Sequence, residues 1–235
     1  MRLNQYLALC GAGSRRSVES LIQAGRVSIR GQTVLDLGRR VIDGDQVALD
    51  GKALHPPKTY STVMLNKPAG CVSSRRDPQR RSTVYDYLPP AFRTLRNIGR
   101  LDLQSRGLLL FTDDGELAFR LTHPSYEIPR TYQVWTDRPI GPEGRTALLR
   151  GVDLGDGETG RARAVKIDAE KTEITLMEGK NREIRRMMQA IGRRVRDLKR
   201  ISFGPLLLGK LAPGDFRELN EEEIASLNAC VDLLE

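Results

Sequence analysis

Two groups of carboxylates are spaced closely enough to suggest chemistry: Asp113 and Asp114 with Glu116, and Glu221 to Glu223. The first invites a divalent metal, as in a nuclease that activates water. Adjacent aspartates seldom converge on one ion, however, and Asp113 with Glu116 fits the box that caps a helix. The second group follows Asn220, a good cap, and stands at the positive end of a helix dipole, which makes it structural. His55 and His123 are solitary, each beside a proline, with no partner at ligand spacing. Cys10, Cys71 and Cys230 are odd in number and scattered, unlike a zinc site or a disulfide framework, which suits a reducing, cytoplasmic setting. No metal is expected. What remains is rich in cations: Arg15 and Arg16, Arg75 and Arg76 in SSRRDPQRR, and the run from Lys180 to Arg200. Taken alone, Asp102 is an ordinary turn aspartate and Tyr132 an ordinary half-buried strand residue.

Charge indicates what such a chain meets. Its 235 residues hold 38 Lys and Arg against 30 Asp and Glu, a formal net charge of +8, which favours a polyanion and above all nucleic acid. With 39% hydrophobic and 29% charged residues the chain is globular, long enough for one large core and a small second domain. The longest apolar runs, Leu108 to Phe111 and Leu206 to Leu208, are far too short to span a bilayer, and the N-terminus lacks a secretory apolar segment. Neither membrane nor export is expected.

The elements that must position the charged residues follow from periodicity. Leu3, Leu7 and Cys10 recur at helical spacing until Gly11 and Gly13, and Ser14 can cap a second helix that buries Val18, Leu21 and Ile22 and ends at Gly25. Arg15 and Arg16, in its first turn, oppose the helix dipole, which points to an external anion. Strands RVSIRG and, after the turn at Asp43-Gly44, QVALDG complete an αα-β unit. KALHPPKTY, with its Pro-Pro pair, reads as a semi-rigid linker, so the domains are expected at 1–52 and 61–235 with the linker at 53–60. Beyond it TVMLNKP, GLLLF and RTYQVW read as strands and SSRRDPQRR as a mobile basic loop. ELAFRL, GRTALLRG, NREIRRMMQAIG and NEEEIASLNACVDLL read as helices, without a clean βαβ rhythm.

RLNQYLALCGAGSRRSVESLIQAGRVSIRGQTV, followed by VIDGDQVALDG, resembles the S-four-type RNA-binding domain, a module that by itself implies only structured RNA. The stretch from Asn97 to Val134, with Gly99, Arg100, Leu101 and Asp102 as its GRLD motif, resembles the catalytic core of the RsuA-type pseudouridine synthases. MLNKPAG and EGKNREIRRMMQAIG match two further blocks of that family, and the matches run in the family's order over nearly the whole chain.

The resemblance implies conversion of a uridine to pseudouridine, in which a nitrogen–carbon glycosidic bond is replaced by a carbon–carbon bond with no redox step and no cofactor. The motif makes Asp102 the nucleophile or base, whether toward the sugar or the ring. Motif register gives Arg185 as the cation that keeps it ionised, since a guanidinium can hold both carboxylate oxygens. Tyr132 would stack on the detached uracil. The family usually has Lys before the Thr-Tyr pair, where this chain has Arg130. The target must be flipped out of its stack, with Arg100 near its phosphate and Arg15, Arg16, Arg75, Arg76, Lys180, Arg182 and Arg186 gripping the RNA backbone. Binding is expected to weaken steeply with salt.

The expected fold is α+β: a small αα-β RNA-binding domain followed by a catalytic domain with a mixed, mainly antiparallel sheet, the latter implied by the resemblance. FTDDGELAFRLTHPSYEIPRTY and KRISFGPLLLGKLAPGDFREL look closer to the large-subunit members of the family, with small-subunit rRNA as the alternative. The partner is ribosomal RNA or a pre-ribosomal particle, with no nucleotide cofactor, met by a monomer. Two rivals stay open: a non-catalytic RNA-binding ribosome-assembly protein, and a nuclease using Asp113 and Asp114 that a chelator would stop.

Overall fold

The computed structural model describes residues 1–56, 59–168 and 170–232; Pro57 and Lys58 of the expected linker, Ala169, and Leu233 to Glu235, which include the expected end of the last helix, lie outside the described residues. Helical spacing of Leu3 and Leu7 winds α1 (Leu3–Leu9), and Ser14 caps α2 (Arg15–Gln23) by accepting a hydrogen bond from the Ser17 amide. Val18 and Ile22 are fully buried, whereas Leu21 packs only at the margin of the core. Four short antiparallel strands follow, β1 (Val27–Ile29), β2 (Gln32–Thr33), β3 (Val47–Leu49) and β4 (Lys52–Ala53), in the order β2-β1-β3-β4. The sequence signals neither β2 nor β4. The latter takes up Ala53, where the linker reading begins, and Leu54 then donates its amide to the Val47 carbonyl. This unit, Met1–Tyr60, encloses its own core of Leu3, Leu7, Val18, Ile22, Val27 and Val47.

The second unit, Ser61–Glu235, is built on one large sheet. In chain order its elements are β5 (Thr62–Lys67), β6 (Arg96–Ile98), β7 (Arg106–Thr112), α3 (Gly115–Thr122), β8 (Arg130–Thr136) and α4 (Pro142–Arg150). There follow a separate hairpin of β9 (Val152–Gly155) and β10 (Glu158–Gly160), then β11 (Ala164–Ile167), β12 (Thr172–Leu176) and α5 (Glu183–Ala190). Last come β13 (Val195–Phe203), β14 (Leu206–Leu207), β15 (Phe216–Glu218) and α6 (Glu221–Ala229). The sheet runs β11-β12-β8-β13-β7-β5-β15, with β14 on β13 and β6 on β7, and only β13 and β7 pair in parallel. The unit is therefore α+β with a mixed, mainly antiparallel sheet. Among the described residues no helix is long and apolar enough to cross a membrane.

The unbroken apolar run in β7 has a physical reason: both faces of that strand are covered. Leu109 and Phe111 enter a core with Val63, Leu65, Tyr132 and Met187. Leu108 and Leu110, on the other side of the pleat, enter a second core with Met64, Leu121, Phe203 and Leu227. The cap of α3 lies one residue later than the sequence suggests. Asp114, not Asp113, accepts from the amides of Glu116 and Leu117; Asp113 accepts from the Ser61 amide and ties the approach to β5 to the end of β7. Among the described residues no group of three or more His, Cys, Asp or Glu is placed to hold a metal ion. Asn220 caps α6 in a box with Glu223, and the helix closes at Ala229.

Gly107 permits the parallel pairing. At φ +105° it faces Arg200, and a Cβ there would stand 2.7 Å from the Arg200 nitrogen and closer still to its carbonyl oxygen. Backbone strain and overlap act together, so Gly107→Ala is expected to cost about 3 kcal/mol in a urea melt. An unchanged midpoint would show that the two strands part freely.

The basic loop at residues 73–81 is anchored by its own charges. Arg75 donates to the carbonyls of Arg93, Thr94 and Leu95 and lies 4.8 Å from the Tyr85 ring centre, and Arg81 donates to Asp77. The Arg81 side chain and amide hold the Asp77 carboxyl down at about 2. Since the folded value lies below the unfolded 3.8, the contact supports the loop above that pH and is lost as pH falls through about 2. A carboxyl NMR titration is expected to give that value, and Arg81→Ala to raise it part of the way toward the ordinary carboxylate range, since the amide at 81 still donates to Asp77.

Candidate active site

β5 ends an apolar strand on a lysine. Lys67 is fully buried, and its Nζ donates to the carbonyls of Pro68 (3.0 Å), Asp102 (3.2 Å), Leu103 (3.4 Å) and Ser105 (2.7 Å). One ammonium group thus gathers the loop that carries GRLD. The Ser73 hydroxyl completes the frame, donating to the Leu101 carbonyl and accepting from the Leu101 amide. Burial pushes the Lys67 ammonium below the ordinary lysine range, and Cys71 and Asp102 oppose that shift.

The loop presents the Asp102 side chain, about one-third exposed, to a cavity of about 200 Å³. Its backbone carbonyl is engaged, but its carboxylate has no hydrogen-bond partner among the described residues. Arg182, left-handed at φ +48° just ahead of α5, brings a guanidinium nitrogen within 4.0 Å of Oδ2. Tyr132 on β8 and Arg185 on α5 line the same cavity, so the three residues expected to carry catalysis are brought together. Arg185 is not the ion-pair partner of Asp102 here; Arg182 is. The two arginines share the field of that carboxylate: burial and then Arg182 push the Arg185 guanidinium down, while Asp102 and Asp197 draw it up.

The residues expected to grip RNA divide into two groups. Arg100, Lys180 and Arg182 line the cavity. Lys180 is already engaged, donating to the Thr159 carbonyl at 2.6 Å and pairing with Glu178 at 2.8 Å. Arg186 is turned to the β9–β10 hairpin, where it meets the carbonyls of Leu154 and Gly155 and the carboxylate of Glu158. Arg75 is committed to the three carbonyls named above. Arg76 is exposed, as are Arg15 and Arg16 on the N-terminal unit, and among the described residues none of these three side chains has a hydrogen-bond or ion-pair partner.

Sequence reasoning gives no site role to several lining residues: Ser105, Glu183, Arg200, and Arg130, which it notes only as a departure from the family's lysine. Arg130 donates to the Leu121 carbonyl at 3.0 Å and lies 5.0 Å from the Phe203 ring centre, and burial pushes its guanidinium down. Glu183 is buried, accepts from the Lys180 amide, and has its carboxyl pushed up by that burial. One signal was available. Alternation along Leu198, Lys199 and Arg200 sets Arg200 on the buried face of β13, an unusual place for a charge.

Such a cavity suits a pyrimidine nucleotide, with an aromatic face for the ring, guanidinium groups for its phosphate and a carboxylate within reach of its sugar. Residues 61–190 match the family model described as RNA pseudouridylate synthase, and residues 1–47 match the S4 domain. The chain belongs to the RNA pseudouridylate synthase family; it is an isomerase with an S4 domain ahead of its catalytic domain. It is 38% identical, over 99% of its length and 96% of the relative's, to an uncharacterized RNA pseudouridine synthase of Aquifex aeolicus. It is also 38% identical, over 98% of its length and 97% of the relative's, to the ribosomal large subunit pseudouridine synthase B of Bacillus subtilis. A crystal structure of a pseudouridylate synthase, 30% identical, superposes with a TM-score of 0.71 over 97% of this chain and 99% of that one.

Proposed function

We propose that this synthase isomerises one uridine of ribosomal RNA, in the large subunit, with Asp102 as its catalytic carboxylate. The observation that carries the reading is the state of Asp102: its main chain is fixed by Lys67 while its carboxylate stays free of hydrogen bonds and half-open to a cation-lined cavity. A group held but not consumed by the fold is available to a substrate. Arg182 and Arg185 set positive charge around the same cavity, Tyr132 supplies a face on which the detached uracil can turn, and Arg100 is exposed for a phosphate. Entry to the cavity requires the uridine to leave its stack, and the S4 domain supplies further affinity for structured RNA. No step calls for a cofactor. The Bacillus subtilis relative, named for the large subunit, supports that choice of RNA. Three free cysteines suit a reducing cytoplasm, where ribosomal RNA is modified.

The test is a map of pseudouridine in both ribosomal RNAs, by carbodiimide labelling and primer extension, in cells with and without the gene. One large-subunit signal is expected to vanish, and to return with the intact protein but not with Asp102→Asn. A lost small-subunit signal would move the target. Unchanged maps would sink the ribosomal reading and favour a non-catalytic assembly role or another RNA.

A further inference from the structure

Among the described residues of the catalytic unit, three buried polar atoms lack a hydrogen-bond partner: Ser105 Oγ, Arg185 Nε and one terminal guanidinium nitrogen of Arg200. All three residues line the cavity. Buried polar groups are rarely left unsatisfied, and their concentration at one cavity points to a ligand that completes them. Arg200 is the most demanding of the three. It is 2% exposed, its Nε donates to the Leu108 carbonyl at 2.7 Å, its guanidinium carbon lies 5.2 Å from the Phe203 ring centre, and no carboxylate pairs with it among the described residues. A guanidinium withdrawn from water without an anion is costly, and Gly107 lets the Arg200 main chain run close against β7.

Register says where that charge acts. Arg200 on β13 stands directly opposite Tyr132 on β8, so both project to the same face. Side chains paired in this way have Cβ atoms about 4.5–5.5 Å apart, and a ring lying on Tyr132 has Arg200 at its edge. A phosphate is the other anion within the substrate, but it stays solvated and is better met by the exposed Arg100 and Arg182.

We propose that Arg200 is a further catalytic residue: its free guanidinium nitrogen donates to a carbonyl oxygen of the target uracil and holds the charge that the ring takes up on leaving the ribose. The proposal rests on the isomerase reading above. As the C1′–N1 bond breaks, its electron pair passes to N1 and, by conjugation, to O2 and O4, while Asp102 balances the electron-poor sugar, either by adding to C1′ and leaving again or by taking a sugar proton that it later returns. The pair then forms the C1′–C5 bond; loss of the C5 proton and uptake of one at N1 restore a neutral ring. The carbonyl charge is transient, so a cation fixed there binds the detached ring more tightly than the intact uridine, which lowers the barrier.

Arg200→Met removes the charge yet keeps a long unbranched side chain, and Arg200→Lys keeps the charge but has one head for both the Leu108 carbonyl and the substrate. Single-turnover rates and RNA affinity are measured for wild type, both variants and Asp102→Asn. Two RNAs are used, one with uridine at the target and one with 5-fluorouridine, whose ring anion is intrinsically more stable; because fluorine there replaces the C5 proton that must be lost, both are scored by cleavage of the C1′–N1 bond, read as loss of the starting nucleoside after digestion. Affinity is expected to stay within about twofold while the rate falls about 100-fold in Arg200→Met and about 10-fold in Arg200→Lys, with smaller deficits on the fluorinated RNA. A loss confined to affinity would assign Arg200 to a phosphate, and equal deficits on both RNAs would reduce it to packing; either overturns the proposal. If Arg200→Met does not fold, Arg200→Lys decides, and wild-type rates in it overturn the proposal. A wild-type protein that converts neither RNA removes the isomerase reading itself, and this proposal with it.

Discussion

Purified Asp102→Asn protein is expected to bind its RNA within about threefold of wild type and to form pseudouridine at least about 10⁴-fold more slowly. The separation of the two effects comes from how Asp102 is held. Everything the fold takes from this residue it takes from the backbone, through the carbonyl that meets Lys67 and the Ser105 amide. The carboxylate contributes only a partly exposed pairing with Arg182 at 4.0 Å, so an isosteric amide is expected to change stability by no more than about 0.5 kcal/mol. What the amide lacks is the nucleophile or base. Release of tritium from RNA labelled at uridine C5, beside filter binding and a thermal melt, reads all three quantities. Residual turnover within tenfold of wild type would falsify the assignment of Asp102, whatever the melt shows.

Lys67→Met is expected to lose both stability and activity, and by more than its distance from substrate would suggest. Methionine fills the volume of the stem but leaves the carbonyls of Pro68, Asp102, Leu103 and Ser105 facing a thioether and methyl group. Buried acceptors deprived of their donor cost about 1–3 kcal/mol each when they cannot relax, and partial relaxation of the loop makes about 2–4 kcal/mol in total a fair expectation. Relaxation is also what damages the site. The Asp102 loop moves to find water, and a shift of about 1 Å at a catalytic group costs about 100-fold in rate. The signature is a fall in kcat with KM little changed, together with a lower urea midpoint. A variant that lost stability but kept full kcat would show that the loop is held without the lysine, by Ser73 and by the Gly70 amide, which donates to the Leu103 carbonyl.

Much of this architecture was legible in the residues, and where it was not the reason is physical. Helices announced themselves through caps and stripes: Ser14, Asn220 and the apolar face of residues 184–188 needed no tertiary knowledge. β7 was also plain, because a strand covered on both faces has no alternation to misread. The three proposed catalytic residues were found through the order of motif blocks. Their spacing could not have served, since Asp102, Tyr132 and Arg185 come from a loop, a strand and a helix that only the sheet brings together. That Arg182 and not Arg185 pairs with Asp102 turns on one left-handed residue before α5, which redirects a side chain without any mark in the composition. Cation clusters were the least readable feature. Arg75 and Arg186 look identical to their neighbours in sequence, yet each is absorbed by backbone carbonyls of its own fold. Short strands such as β2 and β4 exist only because β1 and β3 offer them an edge.

The position of β13 between β8 and β7 bears on how the protein is made. Both flanking strands leave the ribosome well before β13 does, and until it arrives each presents an unpaired edge, that of β7 beside a run of buried apolar residues. At about 5–20 residues per second that interval lasts on the order of several seconds, long enough for nascent chains on one messenger to find each other's edges. The insertion that ends the exposure is also the event that carries Arg200 to Tyr132 and closes the cavity. A chain interrupted before Val195 is therefore both inert and adhesive, so that premature termination yields aggregates and never a partly active enzyme.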